Sequence, residues 1–120
     1  MNDSQNTIND LKAAVKKFVE DREWQQFHSP KNLSMALAAE AAELMELFLW
    51  CDNEQSQVEL EKHRQDVEHE IADIALILFN FCLRHSIDLS LALERKIAIQ
   101  EKKYPIEKAR GNWLKYNQFD

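Results

Sequence analysis

A chain of 120 residues, 45% hydrophobic and 30% charged, is long enough for one globular domain and too short for two. At this size folding removes roughly two-thirds of the extended chain's surface from water, so a core is available, and small helical proteins often extend it by oligomerising. The net charge of −6 speaks against nonspecific nucleic-acid binding, which requires a basic surface, but does not exclude an anionic substrate held through divalent cations.

One glycine and two prolines argue against a turn-rich β fold and for a few long helices. The polar start, MNDSQNTIND, has neither the basic nor the apolar region of a signal peptide. The longest apolar run, Ile71 to Leu83, contains Asp73 and Asn80 and is too short to span a bilayer. Cys51 and Cys82 are isolated, in no CxxC arrangement, and read as reduced thiols. The expectation is a soluble, cytoplasmic protein with no membrane and no nucleic-acid partner.

In chain order, Ile8, Leu11, Val15 and Phe18 recur at steps of three and four, which predicts a helix from about Thr7 to Arg22. A connector, Trp24 to Asn32, contains Pro30, and Ser29 or Asn32 is placed to cap the next helix. Leu33 to about Trp50 is rich in Ala, Leu, Met and Glu and predicts a second helix. Cys51 to Gln57 reads as a loop. A third helix is expected over Val58 to Arg84, charged and solvated in its first half and buried from Val67 onward. Asp88 is the expected N-cap of a fourth, Leu89 to about Lys103, which stops near Tyr104 because the residue before Pro105 is pushed from helical angles. The tail, Ile106 to Asp120, reads as an arm, either docked on a neighbouring subunit or loose. The fold class is all-α: an antiparallel bundle of about four helices, completed by oligomerisation. The domain expected is single, over 1–120, with its core at about 7–105.

The candidate chemistry lies in two carboxylate pairs, Glu40-x-x-Glu43 and Glu70-x-x-Asp73, each inside a strongly apolar stretch. Residues three apart share one side of a helix, about 60° apart. Glu40 stands between Leu37 and Leu44, and Glu43 lies four before Leu47. Glu70 lies between Val67 and Ile74, and Asp73 lies four before Ile77. If the two helices pack antiparallel through these faces, all four acids can converge. Carboxylates among core residues cost several kcal/mol unless a proton, a cation or a metal compensates them. Four oxygen donors without histidine or cysteine suit Mg²⁺ or Mn²⁺ rather than zinc or copper, and Mg²⁺ readily bridges to phosphate oxygens. Glu54, Glu59, Glu61 and Glu68 read as solvated surface charges. Glu46 stands close enough to the first pair to support it or to act as a base.

Other metal and catalytic patterns fit less well. Asp66-x-x-His69 only approximates a di-iron motif, and no second copy exists. The single glycine rules out a glycine-rich phosphate loop.

The string Trp24-x-x-Phe27-His28-x-Pro30-x-Asn32-Leu33, then Glu40-x-x-Glu43-x-x-Glu46-Leu47-Phe48-x-Trp50, then Glu70-x-x-Asp73, then Lys96 with Tyr104-Pro105, resembles the MazG-like all-α nucleoside triphosphate pyrophosphohydrolases. The resemblance covers roughly residues 11 to 110 and is closest to the small dCTP pyrophosphatase type. It implies that Glu40, Glu43, Glu70 and Asp73 hold Mg²⁺ (or Mn²⁺) on a triphosphate, with Glu40 or Glu43 as the catalytic base. It implies that Lys96 and Tyr104 contact phosphate, with Lys31 at a position that is often basic, and Gln100 where the family commonly has asparagine. It implies that Trp24, His28 and Trp50 line the base and sugar pocket, in a homodimer or homotetramer. Val15 stands where the vertebrate dCTP enzymes carry a histidine, so a cytosine preference does not transfer automatically.

The function expected is Mg²⁺-dependent hydrolysis of a dCTP-like or noncanonical (deoxy)nucleoside triphosphate to a monophosphate and pyrophosphate, in control of the nucleotide pool. The alternatives are a pyrophosphohydrolase for another nucleotide, such as dUTP or phosphoribosyl-ATP, and a non-enzymatic helical interaction module.

Overall fold

The computed structural model describes residues 1–120, and its elements are helices and turns with no strand. It divides into two compact units, Met1–Ser86 and Ile87–Asp120. In the first, helix α1 (Ile8–Glu20) starts on a reciprocal cap: Thr7 Oγ1 accepts from the Asp10 amide, and the Thr7 amide donates to Asp10 Oδ2. Glu23, at φ 54°, turns the chain into a short 3₁₀ segment, Trp24–Phe27. Helix α2 (Pro30–Glu46) comes next, then α3 (Asn53–Lys62) and α4 (Arg64–Arg84).

Three boundaries differ from the sequence expectation. Helix α2 begins three residues before Leu33, with Ser29 rather than Asn32 as its N-cap and Pro30 in the first turn, where proline's missing N–H costs nothing. It also ends at Glu46 rather than Trp50, because the Leu47, Phe48 and Leu49 amides turn to carbonyls three residues back and tighten the chain out of the helix. The stretch expected as a loop holds the start of α3, where Asp52 Oδ1 accepts from the Gln55 amide and the Gln55 side chain accepts from the Asp52 amide.

The helix expected over Val58 to Arg84 is two helices, separated at His63 (φ −118°, ψ 31°). Neither proline nor glycine marks that break, so hydrophobic periodicity runs through it unseen.

Helices α1, α2 and α3 each pack on α4. His28, just before α2, meets Asn80 near the end of α4, whereas Glu43 of α2 meets Glu70 earlier in α4. The two helices therefore run in opposite directions, as the convergence of the acids requires. The C-terminal ends of α1 and α4 meet where Arg84 Nη2 donates to Glu20 Oε1 at 3.4 Å. Val19, Leu33, Val67 and Cys82 are the buried apolar residues, and Asn80 is buried with them.

The second unit is α5 (Leu89–Lys103), one turn of helix α6 (Ile106–Ala109) and a 3₁₀ segment, Tyr116–Gln118. Asp88 caps α5 as expected, its Oδ1 accepting from the Leu91 amide at 2.9 Å. The tail folds back on the end of α5: Tyr104 packs edge-on against Tyr116 and Phe119, at 6.2 and 5.9 Å between ring centres. Lys108 Nζ also reaches the Asp120 carbonyl at 3.2 Å. No single helix of the chain is long and apolar enough to cross a membrane.

Candidate metal centre

The packing of α2 against α4 brings Glu40, Glu43 and Glu70 together, one carboxylate oxygen from each lying within 4.8 Å of the others. The i,i+3 spacing puts Glu40 and Glu43 on the side of α2 that faces α4, and Glu70 answers from the antiparallel partner. Glu40 and Glu70 are half-buried, and in each Oε2 is shut from solvent with no hydrogen-bond donor. Glu43 stands at the open side. Asp73 lies outside the tight trio, but its charge reaches both Glu40 and Glu70.

Hydrogen bonding to Glu43, burial and neighbouring negative charge raise the pKa values of Glu40 and Glu70. Glu40 is pushed up from 4.5 to about 7, first by a hydrogen bond shared with Glu43, then by burial and by the charges of Glu43, Asp73 and Glu70. Burial comes first for Glu70, which is also raised, followed by its hydrogen bond with Glu43 and the charges of Glu43 and Asp73. Donor-less buried oxygens in a cluster with no lysine or arginine among its ligand atoms fit a hard divalent cation, which takes carboxylate oxygens and keeps waters of its own.

The segment before α2 is held to this pair of helices by side chains. Asn32 Nδ2 donates to the Phe27 carbonyl at 2.9 Å, tying the 3₁₀ turn to the first turn of α2. Trp24 packs edge-on against Phe18 of α1 at 5.7 Å, and the Arg22 guanidinium lies 5.9 Å from its ring centre. Half-buried His28 is fixed through Nδ1 by Asn80 Nδ2 at 2.8 Å. Trp50 is 94% exposed. Lys31 is exposed in the first turn of α2. Lys96 and Gln100 are exposed on α5, and Tyr104 is its half-buried C-terminal cap residue, in the second unit.

Sequence reasoning missed the polar string behind His28. Asn80 Oδ1 accepts from Arg84 Nε at 3.4 Å, and Arg84 reaches Glu20. The signal was an asparagine within the most apolar run, because a buried amide implies a partner.

The sequence model of the MazG-like family matches residues 35–119, well over half the chain. The chain belongs to the MazG-like family. Its matched region includes both carboxylate pairs of this MazG-like chain. Among curated proteins it is similar to dCTP pyrophosphatase 1 of Bos taurus, 34% identical over 115 residues, covering 94% of this chain and 68% of the relative. It is similar to dCTP pyrophosphatase 1 of Homo sapiens at 35% identity, covering 93% of this chain and 67% of the relative. A solved pyrophosphatase from Archaeoglobus fulgidus DSM 4304 superposes with a TM-score of 0.81 at 32% identity, over 88% of this chain and 98% of that one.

The raised pKa of Glu40 has a consequence for stability. Between 4.5 and about 7 the folded chain holds a proton that the unfolded chain releases, so this contribution is complete below 4.5 and lost as pH rises through about 7. Thermal unfolding with a chelator should show the midpoint falling across that window. Glu40→Gln should flatten the fall, and Mg²⁺ should restore the midpoint most at the upper end. A metal-free midpoint that holds level or rises through the window contradicts the crowded-carboxylate account.

Proposed function

We propose that this MazG-like chain is a divalent-cation-dependent nucleoside triphosphate pyrophosphohydrolase, yielding a nucleoside monophosphate and pyrophosphate. The observation that carries the reading is the trio Glu40, Glu43 and Glu70, with buried oxygens that lack any donor. The relatives named dCTP pyrophosphatase and the solved pyrophosphatase support the reaction class. The names of the curated relatives also support a dCTP-like substrate, and control of the nucleotide pool is the role that goes with this reading.

In this reading Glu40, Glu43, Glu70 and Asp73 hold Mg²⁺. Bound there, the ion would neutralise the triphosphate and lower the pKa of an attacking water. Glu40 and Glu43 are the two acids assigned to take that water's proton. Water adds across the α–β anhydride, one P–O bond breaks, and pyrophosphate leaves. Lys96 supplies a point charge for phosphate and Tyr104 a hydroxyl donor, with Lys31 and Gln100 as further phosphate contacts. Trp24, His28 and Trp50 form the base and sugar pocket, where an indole face contributes about 1–3 kcal/mol of stacking. Residues 1–120 act as one catalytic domain in a reduced, cytoplasmic setting.

Exposed apolar surface supports a homodimer or homotetramer. Leu93 and Ile97, one helical turn apart on α5, are 57% and 49% exposed, and Ile71 beside Glu70 is 52% exposed. Apolar patches of this kind commonly mark an interface.

Pyrophosphate release from a panel of canonical and modified triphosphates with Mg²⁺ tests the activity. Release is expected with dCTP-like nucleotides among the better substrates. Glu43→Ala and Asp73→Ala should each lower it by about 100-fold or more, the scale of losing a positioned acid–base or metal group. No release from any nucleotide, or release indifferent to both substitutions, sinks the proposal. Light scattering on the eluting protein should give two or four chains, and Ile97→Glu a smaller species. A wild-type monomer contradicts the assembly.

A further inference from the structure

Asn80 is the most enclosed polar group of the chain, 1% exposed on α4, and it touches the 3₁₀ segment through His28. Its amide has one donating and one accepting end, and Arg84 decides which end points where. Arg84 Nε can only donate, so the group 3.4 Å from it must be Oδ1. The opposite end, 2.8 Å from His28 Nδ1, is therefore the NH₂ group, which also can only donate. Nδ1 must then carry a lone pair rather than a proton, and in the neutral ring the proton sits on Nε2. Arg84 is itself oriented by Glu20, 3.4 Å away on α1, so three elements agree on one polarity.

We infer that Asn80 is a positioning residue that locks His28 as a hydrogen-bond donor through Nε2–H, so that the base or sugar pocket reads an acceptor atom of the nucleotide. The pocket assignment of His28 rests on the proposed pyrophosphohydrolase function; the lock rests on the hydrogen-bond directions alone. A pyrimidine carbonyl oxygen, a ring nitrogen or a sugar oxygen satisfies such a donor, whereas an exocyclic amino group at that point does not. The charged groups on this string are Arg84 from α4 and Glu20 from α1. Burial and then the Arg84 charge hold the His28 ring below its usual 6.5, which keeps the donor form neutral.

Long-range ¹H–¹⁵N spectra of histidine-labelled wild-type protein, without nucleotide, read the lock directly. The expected signature is an unprotonated Nδ1 and a protonated Nε2, persisting to pH values below 6.5. A protonated Nδ1, an even mixture of tautomers, or ordinary titration overturns the inference. Asn80→Asp reverses the polarity, because a carboxylate accepts: the proton should move to Nδ1 and the ring should titrate higher. With Mg²⁺, the variant should show KM raised about tenfold, the worth of one good hydrogen bond, with kcat changed far less. Tautomer reversal with an unchanged KM removes the ligand-reading half of the inference. If wild-type protein binds no triphosphate, the pyrophosphohydrolase reading fails, while the free-protein spectrum still decides the lock.

Discussion

The structure turns on one electrostatic constraint: three carboxylates crowded where α2 crosses α4, with two of their oxygens sealed from water and given no donor. Bringing like charges together in a half-buried seam opposes folding, so the cluster needs a proton or a cation. The raised pKa values of Glu40 and Glu70 describe the protonated answer. A divalent cation is the other answer, and it alone reverses the sign of the site so that a triphosphate is attracted to a protein of net charge −6. Antiparallel pairing of α2 and α4 is what allows the acids of both helices to meet.

The elements around the seam are arranged to hold it. Ser29 and Pro30 start α2, Asn32 clasps the preceding turn by its Phe27 carbonyl, and Asn80 holds His28 from the far end of α4. Within the Trp24 to Leu33 string, Asn32 and His28 thus fasten the 3₁₀ segment to the two carboxylate-bearing helices, while Trp24 packs on Phe18 of α1. Their spacing has a mechanical reason as well as a chemical one.

Much of this was legible in the sequence. The i,i+3 pairs flanked by Leu37, Leu44, Val67 and Ile74 told the helical faces, because period and polarity disagreed at four positions, and three of the four acids come together. Asp88 and the Tyr104-Pro105 stop marked α5 correctly, since capping and proline act locally. The break at His63 was invisible, because it arises from no local breaker in a charged stretch. The early start of α3 was visible only as the pair Asp52 and Gln55, three apart, which composition disguised as a loop. Asp73 was expected beside the other acids and lies outside the trio, with its charge still acting on Glu40 and Glu70. The Glu20–Arg84–Asn80 string joins residues as far as 64 apart, which no local pattern reports.

The central claim is that the Glu40, Glu43 and Glu70 cluster exchanges protons for a divalent cation. Calorimetric titration of the nucleotide-free protein with Mg²⁺, near pH 6 to 7 and in buffers of different ionisation enthalpy, tests it most directly. The account predicts saturable binding that releases protons to the buffer, with both signals lost together in Glu40→Gln. Heat that does not saturate, or binding with no proton released, would contradict it.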